Sequence, residues 1–137
     1  MSVAVLASSG CGGTGAHVEP SDGDTDDARF WANQGTKLLN QGRYEDAIES
    51  YERALEIRGD YPYVYCSLAT VYNRTGEPED ALAAAETAIE IDPDFVWARF
   101  NMAQALRALG RDEEADAVLE KAFELRPDLR DSRSQKP

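Results

Sequence analysis

The residues in this chain that could do chemistry are few, and their spacing suits structure better than catalysis. Histidine occurs once, at His17, and cysteine twice, at Cys11 and Cys66. A nucleophile needs a base within hydrogen-bond reach, and zinc needs several clustered nitrogen or sulfur donors. With its only histidine near the N-terminus, the rest of the chain supplies neither. Asp22, Asp24 and Asp26 alternate like the opening ligands of a calcium loop, but Asp27 stands where the turn needs glycine and Asn33 where a bidentate glutamate would close the site. We read them as a solvated acidic linker. The acidic pairs Glu45-Asp46, Glu79-Asp80 and Glu113-Glu114 each open an apolar helical pattern, where negative charge meets the positive end of a helix. No metal, cofactor or enzymatic activity is expected.

The elements that carry these residues are legible from one interval. Gly42, Gly76 and Gly110, then Ala47, Ala81 and Ala115, then Ala54, Ala88 and Ala122 recur every 34 residues in the same order. Such a period marks helix-turn-helix units that stack into a solenoid. The units are residues 28–61, 62–95 and 96–129, with nothing between them. In each, apolar residues at three- and four-residue steps give a first helix, A, and a second, B. The shared glycine closes helix A in a left-handed conformation. Pro93 and Pro127 stop helix B in the later units, and Gly59 takes that place in the first. Gly35, Ala69 and Ala103 are expected to oppose Ala47, Ala81 and Ala115, letting the helix axes approach to roughly 8–10 Å.

Composition sets the outer limits. A chain of 137 residues with 42% apolar content holds one helical domain plus tails. The net charge of −12 argues against a nucleic-acid partner, which rewards a basic footprint. No run approaches the ~20 apolar residues of a membrane span. The charge is unevenly placed: segments 29–41, 63–75 and 96–109, the helices A, contain no Asp or Glu but carry Arg29, Lys37, Arg74, Arg99 and Arg107.

The pattern of Trp31, Gly35, Gly42, Ala47, Tyr51 and Ala54, repeated with substitutions through residue 129, resembles the tetratricopeptide repeat (TPR) family. Departures are Gln34 where Leu68 and Met102 sit, Gly59 for proline, Arg99 for an aromatic, and Pro78 after the second turn, where it suits the start of a helix. The resemblance implies an all-α, right-handed α-solenoid of three repeats and six antiparallel helices, with helices A lining a concave groove. Transferred to this chain, the groove positions are Arg29, Ala32, Thr36, Leu39 and Asn40; Tyr63, Cys66, Thr70, Asn73 and Arg74; and Trp97, Phe100, Gln104, Arg107 and Ala108. The implied function is non-catalytic binding of a protein or peptide, as adaptor or assembly scaffold. Tyr63, Trp97 and Phe100 would act as anchors, and Arg74 and Arg107 would steer acidic side chains or a C-terminus. The family's clamp for chaperone tails does not transfer, because its positions are Ala32, Thr36, Ser67, Trp97 and Asn101 here.

The two ends leave alternatives open. Phe123 repeats Leu55 and Ile89, which should pack on a following unit, yet only a polar tail at 130–137 is expected after it. An exposed end of this kind makes a self-associating solenoid, a homo-oligomer built around Phe123, the rival reading. Residues 1–27 form a Gly/Ser/Asp-rich leader expected to be disordered. Val3–Ala7 followed by Ser8-Ser9-Gly10-Cys11 resembles the end of a bacterial lipoprotein signal, with Ser8 in place of leucine and no basic segment before it. Acylation at Cys11 would anchor the chain by lipid at a bacterial cell envelope; without it the leader reads as an ordinary cytoplasmic one.

Overall fold

Three helix pairs fill the three units. The computed structural model describes residues 27–134, in helices α1 (Ala28–Asn40), α2 (Tyr44–Ile57), α3 (Pro62–Thr75), α4 (Pro78–Ile91), α5 (Val96–Ala108), α6 (Asp112–Leu125) and α7 (Pro127–Ser134). The turn within each pair follows from its glycine. Gly42, Gly76 and Gly110 have φ of 77°, 80° and 79°. No atom lies within 4 Å of a Cβ built at any of them, so the backbone angle, not crowding, demands glycine. The turns share a closing bond: the amides of Arg43, Glu77 and Arg111 donate to the carbonyls of Leu38, Tyr72 and Leu106 at 2.9, 2.8 and 2.8 Å.

Helix starts follow the charge pattern. Glu45 and Asp46, Glu79 and Asp80, and Asp112 to Glu114 occupy the first turns of α2, α4 and α6. Pro62 and Pro78 open α3 and α4, where a missing amide costs nothing. Asp27 caps α1, its carboxylate accepting from the Arg29 amide at 2.8 Å. That bond holds its carboxyl below the usual range.

Small residues let the helices meet. Ala47, Ala81, Ala115, Ala54, Ala88 and Ala122 are all wholly buried. One detail corrects the expected opposition in the first pair. A Cβ on Gly35 would lie 2.6 Å from the Tyr51 ring, so this glycine is the notch that admits a tyrosine. The same two positions hold Ala69 with Ala85 and Ala103 with Leu119 in the later pairs, where the facing residue is smaller.

The stack curves because its two helix sets pack differently. α1 touches α3 and α3 touches α5, whereas among the described residues α2, α4 and α6 do not touch one another. Helices in mutual contact follow the shorter arc, so α1, α3 and α5 form the concave side.

The C-terminal end departs from expectation. Among the described residues there are seven helices rather than six, and part of the expected polar tail is helical. Pro127 ends α6 and then opens α7, three residues before a fourth helix A would start. Phe123 is only 7% exposed, covered in part by Leu129 and Arg130. The bare aromatic end on which the self-association reading rested is therefore covered.

Candidate functional site

Tyr63 and Trp97 hold equivalent places, the second residues of α3 and α5, and both face solvent, at 39% and 51% exposure. Their supports differ. The Tyr63 hydroxyl lies 2.8 Å from Thr36 Oγ1, which is also 3.0 Å from the Tyr51 hydroxyl and 3.1 Å from the Ala32 carbonyl. Threonine has one hydroxyl proton; with that proton on the carbonyl, both tyrosines donate to Thr36. Tyr63 is thereby latched across the groove to α1. Among the described residues Trp97 has no such latch, and it leans on Phe100 at 5.5 Å, which meets the Phe123 ring edge-on at 5.9 Å.

A second polar cluster joins α3 to α5. The Asn101 side-chain amide donates to Thr70 Oγ1 at 3.0 Å, the Cys66 carbonyl at 3.1 Å and Cys66 Sγ at 3.3 Å. Asn73 returns the contact by donating to the Asn101 carbonyl at 3.1 Å. Burial pushes the Cys66 thiol up to about 11, against a weaker opposing pull from Asn101. A buried thiol that stays protonated is inert, so Cys66 is a packing residue and not a groove contact.

The electrostatic contrast holds at the level of helices: α1, α3 and α5 carry no acid, and α2, α4 and α6 carry many. Several of the groove cations are nevertheless engaged. Arg29 pairs with Asp27 at 3.3 Å, and Arg107 pairs with Asp116 of α6 at 2.5 Å. Arg99 donates to the Pro93 carbonyl at 2.9 Å, and its buried Nε finds no acceptor among the described residues. Lys37 and Arg74 make no salt bridge among the described residues.

The transferred groove positions divide accordingly. Arg29, Asn40, Tyr63, Arg74, Trp97, Gln104, Arg107 and Ala108 are exposed; Thr36, Thr70, Asn73 and Phe100 are half-buried; Ala32, Leu39 and Cys66 are buried. Phe100 packs toward α6 and is a support for Trp97 more than an anchor. Asn101, Ser67 and Tyr51 were missed as organisers of this face. Their signal was present: Asn33, Ser67 and Asn101 repeat a small polar residue at one position of helix A, facing a neighbour rather than solvent in the last two cases. Cys11 and Asp22 to Asp26 lie outside the described residues. A separate cavity of about 290 Å³ sits between α1 and α2, with the Arg53 guanidinium 5.1 Å from the Trp31 ring that lines it.

Comparison with known proteins agrees with this architecture. Tetratricopeptide repeat models match residues 26–94 and 74–136. A TPR repeat-containing protein of Methanocaldococcus jannaschii is 40% identical over 48 residues, which make up 35% of this chain and 8% of that relative. Among solved structures, MamA superposes with a TM-score of 0.69 at 26% identity, over 83% of this chain and 61% of MamA. The first and second TPR domains of RPAP3, each bound to the HSP90 peptide SRMEEVD, give TM-scores of 0.72 and 0.71 at 26% and 25% identity. These matches cover 76% and 74% of this chain, and 85% and 94% of the two domains. With its glycine-closed helix pairs, its stacked concave helices and family models spanning nearly all of the described residues, the chain belongs to the tetratricopeptide repeat family.

Proposed function

We propose that this chain is a non-catalytic interaction module that holds a segment of a partner protein along the concave face, as an adaptor or assembly scaffold. The observation that carries the reading is the pair Tyr63 and Trp97, two exposed aromatics in equivalent positions on helices free of acids. Large aromatics supply contact area at low entropic cost, and Arg74, without a salt bridge, favours an acidic segment. Peptide-bound RPAP3 domains support the general role. The mode of binding differs from a chaperone-tail clamp, since Thr36 and Asn101 already spend their hydrogen bonds inside the array.

Fluorescence anisotropy with a labelled acidic peptide, carrying one phenylalanine and a free C-terminus, tests this reading. Tyr63→Ala combined with Trp97→Ala should weaken binding at least about tenfold, and Arg74→Glu should reduce its salt dependence. SRMEEVD should bind more weakly than the test peptide. Equal binding by the double variant moves the site off the concave face.

A further inference from the structure

The third hairpin is aromatic at three positions where the other two hold one aromatic between them. Equivalent positions read Arg29, Tyr63 and Trp97; Ala32, Cys66 and Phe100; Leu55, Ile89 and Phe123. In the second unit the corresponding Cys66 and Ile89 share a cluster with Ala98 of the unit that follows and with Phe95, the last residue of their own unit. After the third unit, among the described residues, α7 lies in the place of such a neighbour. That helix has eight residues and is mostly polar. Leu129 packs on the cluster containing Phe123, the Arg130 guanidinium sits 4.8 Å from the Phe123 ring, and the same side chain reaches Glu120 at 2.5 Å. Among the described residues α7 touches α6 but not α5, leaving Phe100 half-buried and Trp97 exposed beside it.

We propose that the end of the third hairpin is a helix-docking site of which α7 is the intramolecular occupant. Its external ligand is an amphipathic helix of a partner protein that presents a leucine followed by an arginine. The seated helix displays that chemistry: an aliphatic side chain against Phe123, and a guanidinium shared between an aromatic face and the Glu120 carboxylate. So short and polar a helix gains little from its own propensity, and it holds its place through tethering by the one residue between α6 and α7. A longer partner helix that also covers Phe100 and the near side of Trp97 gains contacts α7 does not make. The site borders the concave face at Trp97 but needs neither Tyr63 nor Arg74.

The test uses the full chain and a labelled peptide of the sequence RPDLRDSRSQKP, the residues from Arg126 onward. Leu129→Ser with Arg130→Ser should release α7 and raise peptide affinity at least about tenfold over the wild type, where the tethered copy competes. Glu120→Arg, a change at an exposed position, should reverse peptide preference in the otherwise wild-type chain, so that a peptide with its Leu-Arg changed to Leu-Glu binds better than the original. Equal affinities across these variants overturn the proposal. So does dimerisation of the released chain without peptide binding, which would give the site to a second copy. Should the double variant fail to fold, the charge reversal at Glu120 decides alone. Loss of acidic-peptide binding in Tyr63→Ala with Trp97→Ala, while Glu120→Arg keeps its reversed preference, separates this site from the concave one.

Discussion

The two joints of the stack use different chemistry to solve one problem. In the first, Tyr51 of α2 is wedged into the Gly35 notch and its hydroxyl meets Thr36, which also latches Tyr63. In the second, the place of Tyr51 is taken by Ala85, and Asn101 of α5 reaches back to Thr70 and Cys66. The first joint is thus held by a large ring with a polar tip, and the second by closer helix contact with an amide across it. α4 accordingly packs along α5 more extensively than α2 does along α3. A repeat sequence need not build identical interfaces; it needs each joint to fill its volume and satisfy its buried polar atoms.

The sharpest way to break the first joint is Gly35→Ala. Its Cβ would lie 2.6 Å from a wholly buried ring, and overpacking of this kind costs about 1–3 kcal/mol. Thermal unfolding by circular dichroism should show the loss, and Tyr51→Leu in the same chain should recover part of it. An unchanged melting temperature would mean that Tyr51 moves freely. Asn101→Leu attacks the second joint by removing the donor to Thr70 and Cys66, at a cost of about 1–2 kcal/mol. It should also speed alkylation of Cys66, followed by peptide mass mapping, whereas Gly35→Ala should accelerate it less.

Thr36→Val is milder, about 1 kcal/mol. Its informative effect is on Tyr63, which should become more mobile by side-chain NMR while Trp97 stays as it was. The smallest effect at neutral pH comes from titration. Burial raises Cys66 from 9.0 to about 11 and also raises Tyr51 and Tyr72. A raised folded value means the native state binds more protons, so this contribution is complete below pH 9 and is lost as pH rises through about 11. Cys66→Ser should flatten that alkaline decline in denaturant titrations; an unaltered slope would assign it to the tyrosines.

Much of the architecture was legible because it is decided locally. Gly76 needs its positive φ whatever surrounds it, Pro78 suits a first turn, and acids at the start of α4 follow from the helix dipole. The site was less legible. Cys66 and Trp97 were both groove candidates by position, yet one is buried and the other half exposed, because Cys66 packs against Ala98 of α5 whereas Trp97, like Tyr63, faces solvent from the second position of its helix. Arg107 looked available until Asp116, on the partner helix, came within 2.5 Å. Acylation of Cys11 stays an independent proposal, tested by the mass of the mature N-terminus.

By itself the sequence determined the repeat, the turn glycines, the alanine-lined helix contacts and the absence of acids from α1, α3 and α5, since each depends on neighbours a few residues away or on a period of 34. The tertiary structure decided which hydroxyl meets which, that Gly35 serves Tyr51, and that Leu129 and Arg130 cover Phe123. Those contacts join separate helices, and their geometry depends on how far each pair is tilted on the next, which no local pattern encodes.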